Sequence, residues 1–162
     1  MNIKDKLILF GPPGVGKSTI GRMLTDYGYH YFDGDAYSLP EGVVLNHQGK
    51  GMTPELRDRD YAHIIDRFLE QTSEHNKIVM DYHFMFDRYR INLRQLDSSL
   101  RWVYLAASFQ DVEDRFHRPG HLLSDLVFIK KIFGMFEEPS FDVKKIDALL
   151  PVEEVVRQVL DF

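Results

Sequence analysis

Gly11, Pro12, Pro13, Gly14, Val15, Gly16, Lys17 and Ser18, followed by Thr19, reproduce G-x-x-x-x-G-K-[ST] without a mismatch. The chemistry this spacing permits is capture of a polyphosphate. Glycines at these positions let the backbone curl and bring its N–H groups close to phosphate oxygens. Lys17 supplies a charge to the β- and γ-phosphates, and the Ser18 hydroxyl supplies a ligand for Mg²⁺. A plain Gly/Pro turn would give the same string, but the flanking segments argue otherwise. Leu7-Ile8-Leu9-Phe10 reads as a buried strand, and Thr19 to Tyr27 as a helix with Ile20, Met23 and Leu24 on one face. The loop therefore ends at a helix N-terminus, where unpaired N–H groups and the helix dipole favour an anion. A nucleoside triphosphate site is the expectation.

Other residues have types suited to the same chemistry. Asp81 ends a strand read over Lys77 to Asp81, after apolar Ile78-Val79-Met80, and a carboxylate there suits Mg²⁺, held directly or through water. Asp33 and Asp35 flank Gly34 after a short aromatic strand from Tyr29 to Phe32. Two carboxylates so close cannot share a small site without one pKa rising, which suits a base for an acceptor hydroxyl. An Asp-Gly-Asp turn also forms for conformational reasons alone, and the sequence leaves open which Asp is the base. Arg57 and Arg90 are candidates for an anionic acceptor, since a guanidinium pairs with carboxylate or phosphate in bidentate fashion. Arg115, Arg118 and His121 surround Pro119-Gly120, and arginines on a moving cover can neutralise charge on a transferring phosphoryl group. His47, His63 and His83 show no metal-ligand spacing. The aromatic cluster at Tyr27, Tyr29, Tyr31 and Phe32 reads as core.

The elements that must position these groups alternate between strand and helix. A loop rich in Gly, Pro and Asn is expected from Ser38 to Gly51. Thr53 then caps a helix with Pro54 in its first turn, running to about Ser73. Further helices are expected over Tyr89 to Leu96, Phe109 to Phe116, Leu122 to Phe136 and Val152 to Leu160, with strands at Trp102 to Leu105 and Ile146 to Leu150. Strands alternating with helices predict a parallel sheet with right-handed crossovers, and ligands at the strands' carboxyl ends. The chain of 162 residues is expected to form one domain. Its 20 basic against 25 acidic side chains argue against a nucleic-acid partner. The absence of cysteine excludes disulfides and thiolate metal sites, and no apolar run predicts a membrane span or signal peptide. A cytoplasmic protein is expected.

Taken together, these segments resemble the gluconate kinase and shikimate kinase group of small phosphate-loop kinases, gluconate kinase more than shikimate kinase. The matching features are Gly-x-x-Gly-x-Gly-Lys-Ser-Thr, Phe32-Asp33-Gly34-Asp35, Gly49 with Met52-Thr53 and Arg57, Tyr89-Arg90 with Leu93-Arg94, Arg118-Pro119-Gly120-His121, and Glu137-Glu138-Pro139. The resemblance implies an α/β P-loop NTPase fold of the nucleoside monophosphate kinase type, three layers deep, with a five-stranded parallel sheet. It implies a substrate-binding helical segment over 36–75 and an arginine-bearing helical lid over 117–124. It further implies ATP and Mg²⁺ as cofactors, a small-molecule acceptor bound by Asp35, Arg57, Arg90 and His121, and a monomer or homodimer. The sequence departs from the gluconate kinase pattern on the acceptor side. Ser38-Leu39-Pro40 and Leu45-Asn46 stand where a His-Pro and, some ten residues on, a lysine are usual, and His83-Phe84-Met85-Phe86 stands where Ser-Ala-Leu-Lys is usual. Two expected cations are thus replaced. The resulting expectation is a kinase acting on a small, anionic acceptor such as gluconate or a related sugar acid. A nucleoside or nucleotide kinase, and a non-catalytic ATP-binding regulator, are the alternatives.

Overall fold

In a computed structural model that describes residues 4–117 and 123–162, five parallel strands lie in the order β2-β3-β1-β4-β5. They are β1 (Asp5–Phe10), β2 (His30–Asp33), β3 (Lys77–Asp81), β4 (Arg101–Ala106) and β5 (Lys144–Asp147). Seven helices connect and close them among the described residues: α1 (Lys17–Met23), α2 (Pro40–His47), α3 (Pro54–Glu74), α4 (Asp87–Leu96), α5 (Phe109–Val112), α6 (Leu123–Met135) and α7 (Val152–Leu160).

The layering follows from the two-residue period of the strands. Leu7, Leu9, Val79, Val103 and Leu105 face one way and pack with Ile20 and Leu24 of the α1 segment and Val155, Val156 and Val159 of α7. Ile8, Phe10, Ile78, Met80, Trp102 and Tyr104 face the other way, onto Ile64, Ile65 and Phe68 of α3 and Leu93 of α4. Both faces are covered, which is why the three central strands carry the apolar runs at residues 7–10, 78–80 and 102–105. Residues 7–10 are fully buried, and each such side chain contributes about 1.5–3 kcal/mol. The result is a three-layer α/β/α fold of the P-loop, nucleoside monophosphate kinase type. Among the described residues, no helix is long and apolar enough to cross a membrane.

Several boundaries differ from expectation. The segment expected as a loop from Ser38 to Gly51 contains α2, begun by Pro40 and packed through Gly42 against Met52. Its glycine and asparagine content masks the helix. The first helix is shorter than expected and continues as a 3₁₀ turn over Leu24–Tyr27. The Phe109 to Phe116 helix likewise divides, α5 passing into a 3₁₀ turn over Glu113–Phe116. The last strand begins two residues earlier, and residues 148–150 turn away from the sheet, Leu149 N–H donating to Asp147 Oδ1 at 2.9 Å. Thr53 caps α3 as expected, its side chain accepting from Leu56 N–H at 3.2 Å. Of the lid span, residues 118–122 lie outside the described residues, and Arg118 and His121 with them.

The sheet register sets the site. Asp33 of β2 pairs with Asp81 of β3, and Asp81 with Leu9 of β1, so these carboxyl ends align beside the loop that follows Phe10.

Candidate active site

The phosphate loop leaves β1 at Gly11, whose φ is 148°. A Cβ there would stand 2.4 Å from the Leu105 carbonyl oxygen, so the loop crosses β4 at a distance only glycine permits. Gly14 faces the Phe116 ring, which a Cβ would meet at 2.3 Å. Residues 13–19 line a cavity of about 1010 Å³, and Gly11 and Pro12 do not. Lys17 folds back over the loop, its Nζ donating to Gly11 O at 3.0 Å and Pro12 O at 2.9 Å. The side chain touches solvent, yet protein crowds it closely. Desolvation lowers its pKa, against the opposing charges of Asp35 and Asp81.

Asp81 is buried at the end of β3. Its carboxylate accepts from the Tyr31 hydroxyl at 3.0 Å and from Ser18. Burial raises its pKa and the neighbouring Asp33 adds to this, while the Ser18 and Tyr31 hydrogen bonds lower it. Ser18 and Asp81 are hard oxygen donors in contact, a pairing that fits Mg²⁺. Among the described residues, no three His, Cys, Asp or Glu side chains form a metal-sized cluster. An ion on Ser18 and Asp81 would therefore complete its shell with nucleotide oxygens and water.

The two carboxylates around Gly34 have different surroundings. Asp33 Oδ1 accepts from Asp35 N–H at 3.0 Å and caps the 3₁₀ turn over Gly34–Tyr37. It does not line the cavity. Asp35 does, facing the open space. Enclosure by the cavity walls raises its pKa; Lys17 opposes the rise, and Asp33 and Asp60 reinforce it.

The arginines divide more sharply. Arg57 lines the cavity, with Nη2 donating to Met52 O at 3.2 Å and the guanidinium 4.6 Å over the Phe86 ring. Arg115 lines it too, bridging the phosphate loop at Gly14 O (2.7 Å) to Ala148 O (3.5 Å) beyond β5. Arg90, expected at the acceptor, is instead wholly buried and does not line the cavity. Its Nε donates to Asp87 Oδ1 (3.0 Å), Nη1 to Phe84 O (3.0 Å) and Nη2 to Glu137 O (2.6 Å). The guanidinium also stands 5.2 Å from the Phe10 ring centroid and 5.3 Å from that of Phe136. Its place on the buried face of α4, with Tyr89 and Leu93, accounts for the difference.

The partner of Arg90 carries a pH dependence. Burial alone would push the Asp87 carboxyl up, but hydrogen bonds from Ser140 and Arg90 outweigh it and hold the pKa below the usual range. A carboxylate depressed in the folded state stabilises above its unfolded pKa of about 3.9, and that stability is lost as pH falls through the folded value. Urea denaturation should therefore find Asp87→Asn less stable than wild type at pH 7, by about 1.5–3 kcal/mol, with the gap closing below about pH 4. A gap that did not change with pH would contradict this assignment.

Four residues escape a reading by motif. Asp60 is buried, its Oδ1 accepting from Ser38 Oγ at 2.8 Å and Leu39 N–H at 2.6 Å, which pins the entry to α2. The signal was available, because Asp60 sits on the apolar stripe of Leu56, Ile64 and Phe68. Lys50 and Lys131, from the segment before α3 and from α6, add positive charge to the cavity. His83 lines it beside Met85, in the segment that departs from the gluconate kinase pattern. Desolvation, with Lys17 nearby, pushes the His83 imidazole down to about 3.

Sheet order and loop geometry thus define a P-loop fold of the nucleoside monophosphate kinase type. Solved structures agree. A gluconokinase from Sinorhizobium meliloti 1021 is 25% identical, with a TM-score of 0.81 over 98% of this chain and 91% of that one. A sugar kinase from Janibacter sp. HTCC2649 is 21% identical, with a TM-score of 0.83 over 98% and 93%. A deoxyadenosine kinase from M. mycoides, solved with bound dATP, is 18% identical with a TM-score of 0.59 over 96% and 97%. No family model matches the sequence, and no curated protein matches it.

Proposed function

We propose that this protein is an ATP- and Mg²⁺-dependent kinase that transfers the γ-phosphoryl group to a hydroxyl of a small anionic acceptor, gluconate or a related sugar acid. One observation carries the reading: a single cavity joins the phosphate-loop groups Lys17 and Ser18 to Asp35 and Asp81, and beyond them to Arg57, Lys50 and Lys131. Charge for a triphosphate and charge for a second anion share one space. The likeness to a gluconokinase and a sugar kinase supports the same direction.

In this reading Lys17 and the loop amides hold the β- and γ-phosphates, and Arg115, hydrogen-bonded to Gly14 O of the same loop, adds charge beside them. Ser18 and Asp81 hold Mg²⁺, which when bound neutralises charge on the phosphate oxygens. Asp35 accepts the proton of the acceptor hydroxyl. That oxygen bonds to the γ-phosphorus as the bond to the β–γ bridging oxygen breaks, and ADP leaves with the electron pair. A raised Asp35 pKa improves it as a base, since proton transfer works best when the pKa approaches the working pH. Asp35→Asn should lower kcat by about 10²-fold while leaving ATP affinity nearly intact. ADP-release and ATP-titration measurements check both halves.

A nucleoside acceptor is the second reading, favoured by the apolar wall that Phe128, Ile129, Ile132 and Met135 of α6 present to the cavity. A base pocket would draw on aromatic rings near the ends of β2 and β3, and of Tyr31, Tyr37, Tyr82 and Phe84, Tyr82 lines that space; Tyr31 bonds Asp81, Tyr37 stacks on Phe32 at 4.4 Å and Phe84 is fully buried. The deciding assay follows ADP release with Mg²⁺-ATP over gluconate, related sugar acids, shikimate, nucleosides and monophosphates. Acceleration by a sugar acid is expected. Acceleration by nucleosides alone would favour the second reading, and ATP binding with no acceleration would favour a regulator.

A further inference from the structure

Immediately after β3 the chain passes through Phe84 at a φ of 44°, in the left-handed region that a bulky aromatic residue rarely occupies. The surroundings enforce it. The Phe84 ring is fully buried, edge-on to Tyr82 at 5.1 Å and to Trp102 at 5.4 Å, and its carbonyl accepts the Arg90 hydrogen bond. With Phe84 committed to the core, His83 is left on the cavity wall with Lys17, Asp35 and Arg57. Its ring lies on that of Tyr82, centroids 4.0 Å apart. Its Nδ1 accepts from Met85 N–H at 3.3 Å. A nitrogen that accepts has a free lone pair, so the ring is neutral and its one N–H is at Nε2. Among the described residues, no protein group partners Nε2, and the atom is not sealed from solvent.

We propose that His83 is a specificity-determining residue of the acceptor site, its Nε2–H fixed by the Phe84 turn as a neutral donor to an acceptor oxygen. The role rests on the kinase reading above. A neutral donor complements a hydroxyl or carbonyl oxygen, whereas the cations at Arg57, Lys50 and Lys131 complement the anionic group. The acceptor class that fits is a compound carrying both, with a second oxygen close to the reacting hydroxyl. Sites built to hydrogen-bond a substrate hydroxyl discriminate strongly against analogues lacking it.

Two isosteric replacements separate this role from a structural one. His83→Asn keeps an acceptor near the Nδ1 position and loses the Nε2 donor, whereas His83→Gln keeps a donor near Nε2 and loses the bond to Met85. With the sugar acid that wild type phosphorylates, the Asn variant should raise the acceptor KM about tenfold, more than it changes kcat, and leave the ATP KM alone. The Gln variant should restore the acceptor KM to within about threefold of wild type. The reverse order would mean that the ring only ties residues 83–85 together, and would overturn the proposal. Nitrogen-15 spectra of the wild-type imidazole at neutral pH should show the Nε2–H tautomer, and an Nδ1–H form would equally overturn it. A wild-type protein that turns over no acceptor in the panel would overturn the kinase reading and this role together. Turnover with the reversed variant order would remove this role alone.

Discussion

Replacing Lys17 with alanine should reduce kcat/KM for phosphoryl transfer by at least about 10²–10³-fold while shifting the thermal midpoint by no more than a few degrees. The two effects separate because the side chain contributes little to the fold. Among the described residues its ammonium hydrogen-bonds Gly11 O and Pro12 O of its own loop, and desolvation works against its charge there, with Asp35 and Asp81 opposing. Removing it loses two hydrogen bonds and relieves an unfavourable burial, terms of opposite sign. The activity has no such compensation. A preorganised cation beside the transferring group stabilises the charge that develops there without reorganising at the moment of reaction. Coupled ADP-release kinetics and a thermal melt on the same preparation would measure both. Normal turnover in the variant would mean that the loop is not the site of transfer.

Arg90→Ala should have the opposite profile, a loss of about 3–5 kcal/mol in folding stability. The guanidinium is wholly buried, and three different groups depend on it: the Asp87 carboxylate, Phe84 O and Glu137 O. Deleting it leaves the Asp87 carboxylate with Ser140 alone, strands two carbonyls and opens a void between the Phe10 and Phe136 rings. Arg90→Lys should recover little, because an ammonium cannot reach three acceptors spread around a planar fork. The comparison is Arg57→Ala, expected to raise the acceptor KM with a stability change below about 1 kcal/mol, since Arg57 keeps one hydrogen bond to Met52 O and faces the cavity. Urea denaturation of the three variants would show this order. An Arg90→Ala protein as stable as wild type would return Arg90 to the acceptor.

What could be read from residues alone follows the range of the interactions concerned. The phosphate loop is local, since its spacing, the apolar run before it and the helix after it all fall within residues 7–27. Strand and helix alternation is local too, because burial on both faces of the sheet leaves continuous runs. Arg90 is different. Its charge suggests an anion, and only the packing of α4 against the sheet reveals that its partners are backbone carbonyls and its neighbour Asp87. Asp33 and Asp35 are equivalent by type, and only the turn between them makes one a cap and opens the other to the cavity. His83 is visible as a departure from a pattern, but the Phe84 turn and the Met85 N–H that orient its ring are not. The α2 helix was hidden by Gly42 and Asn46, whose propensities are overridden by packing on Met52.

The central position of β1 has a consequence for how the chain is made. That strand emerges first, yet its neighbours are Lys77–Asp81 and Arg101–Ala106, and nothing nearer in the chain can complete its pairing. At ribosomal rates of about 5–20 residues per second, roughly 5–20 s separate synthesis of the phosphate loop from that of its second flanking strand. During that interval residues 7–10, all destined for full burial, have no partner and constitute the segment most in need of protection from association.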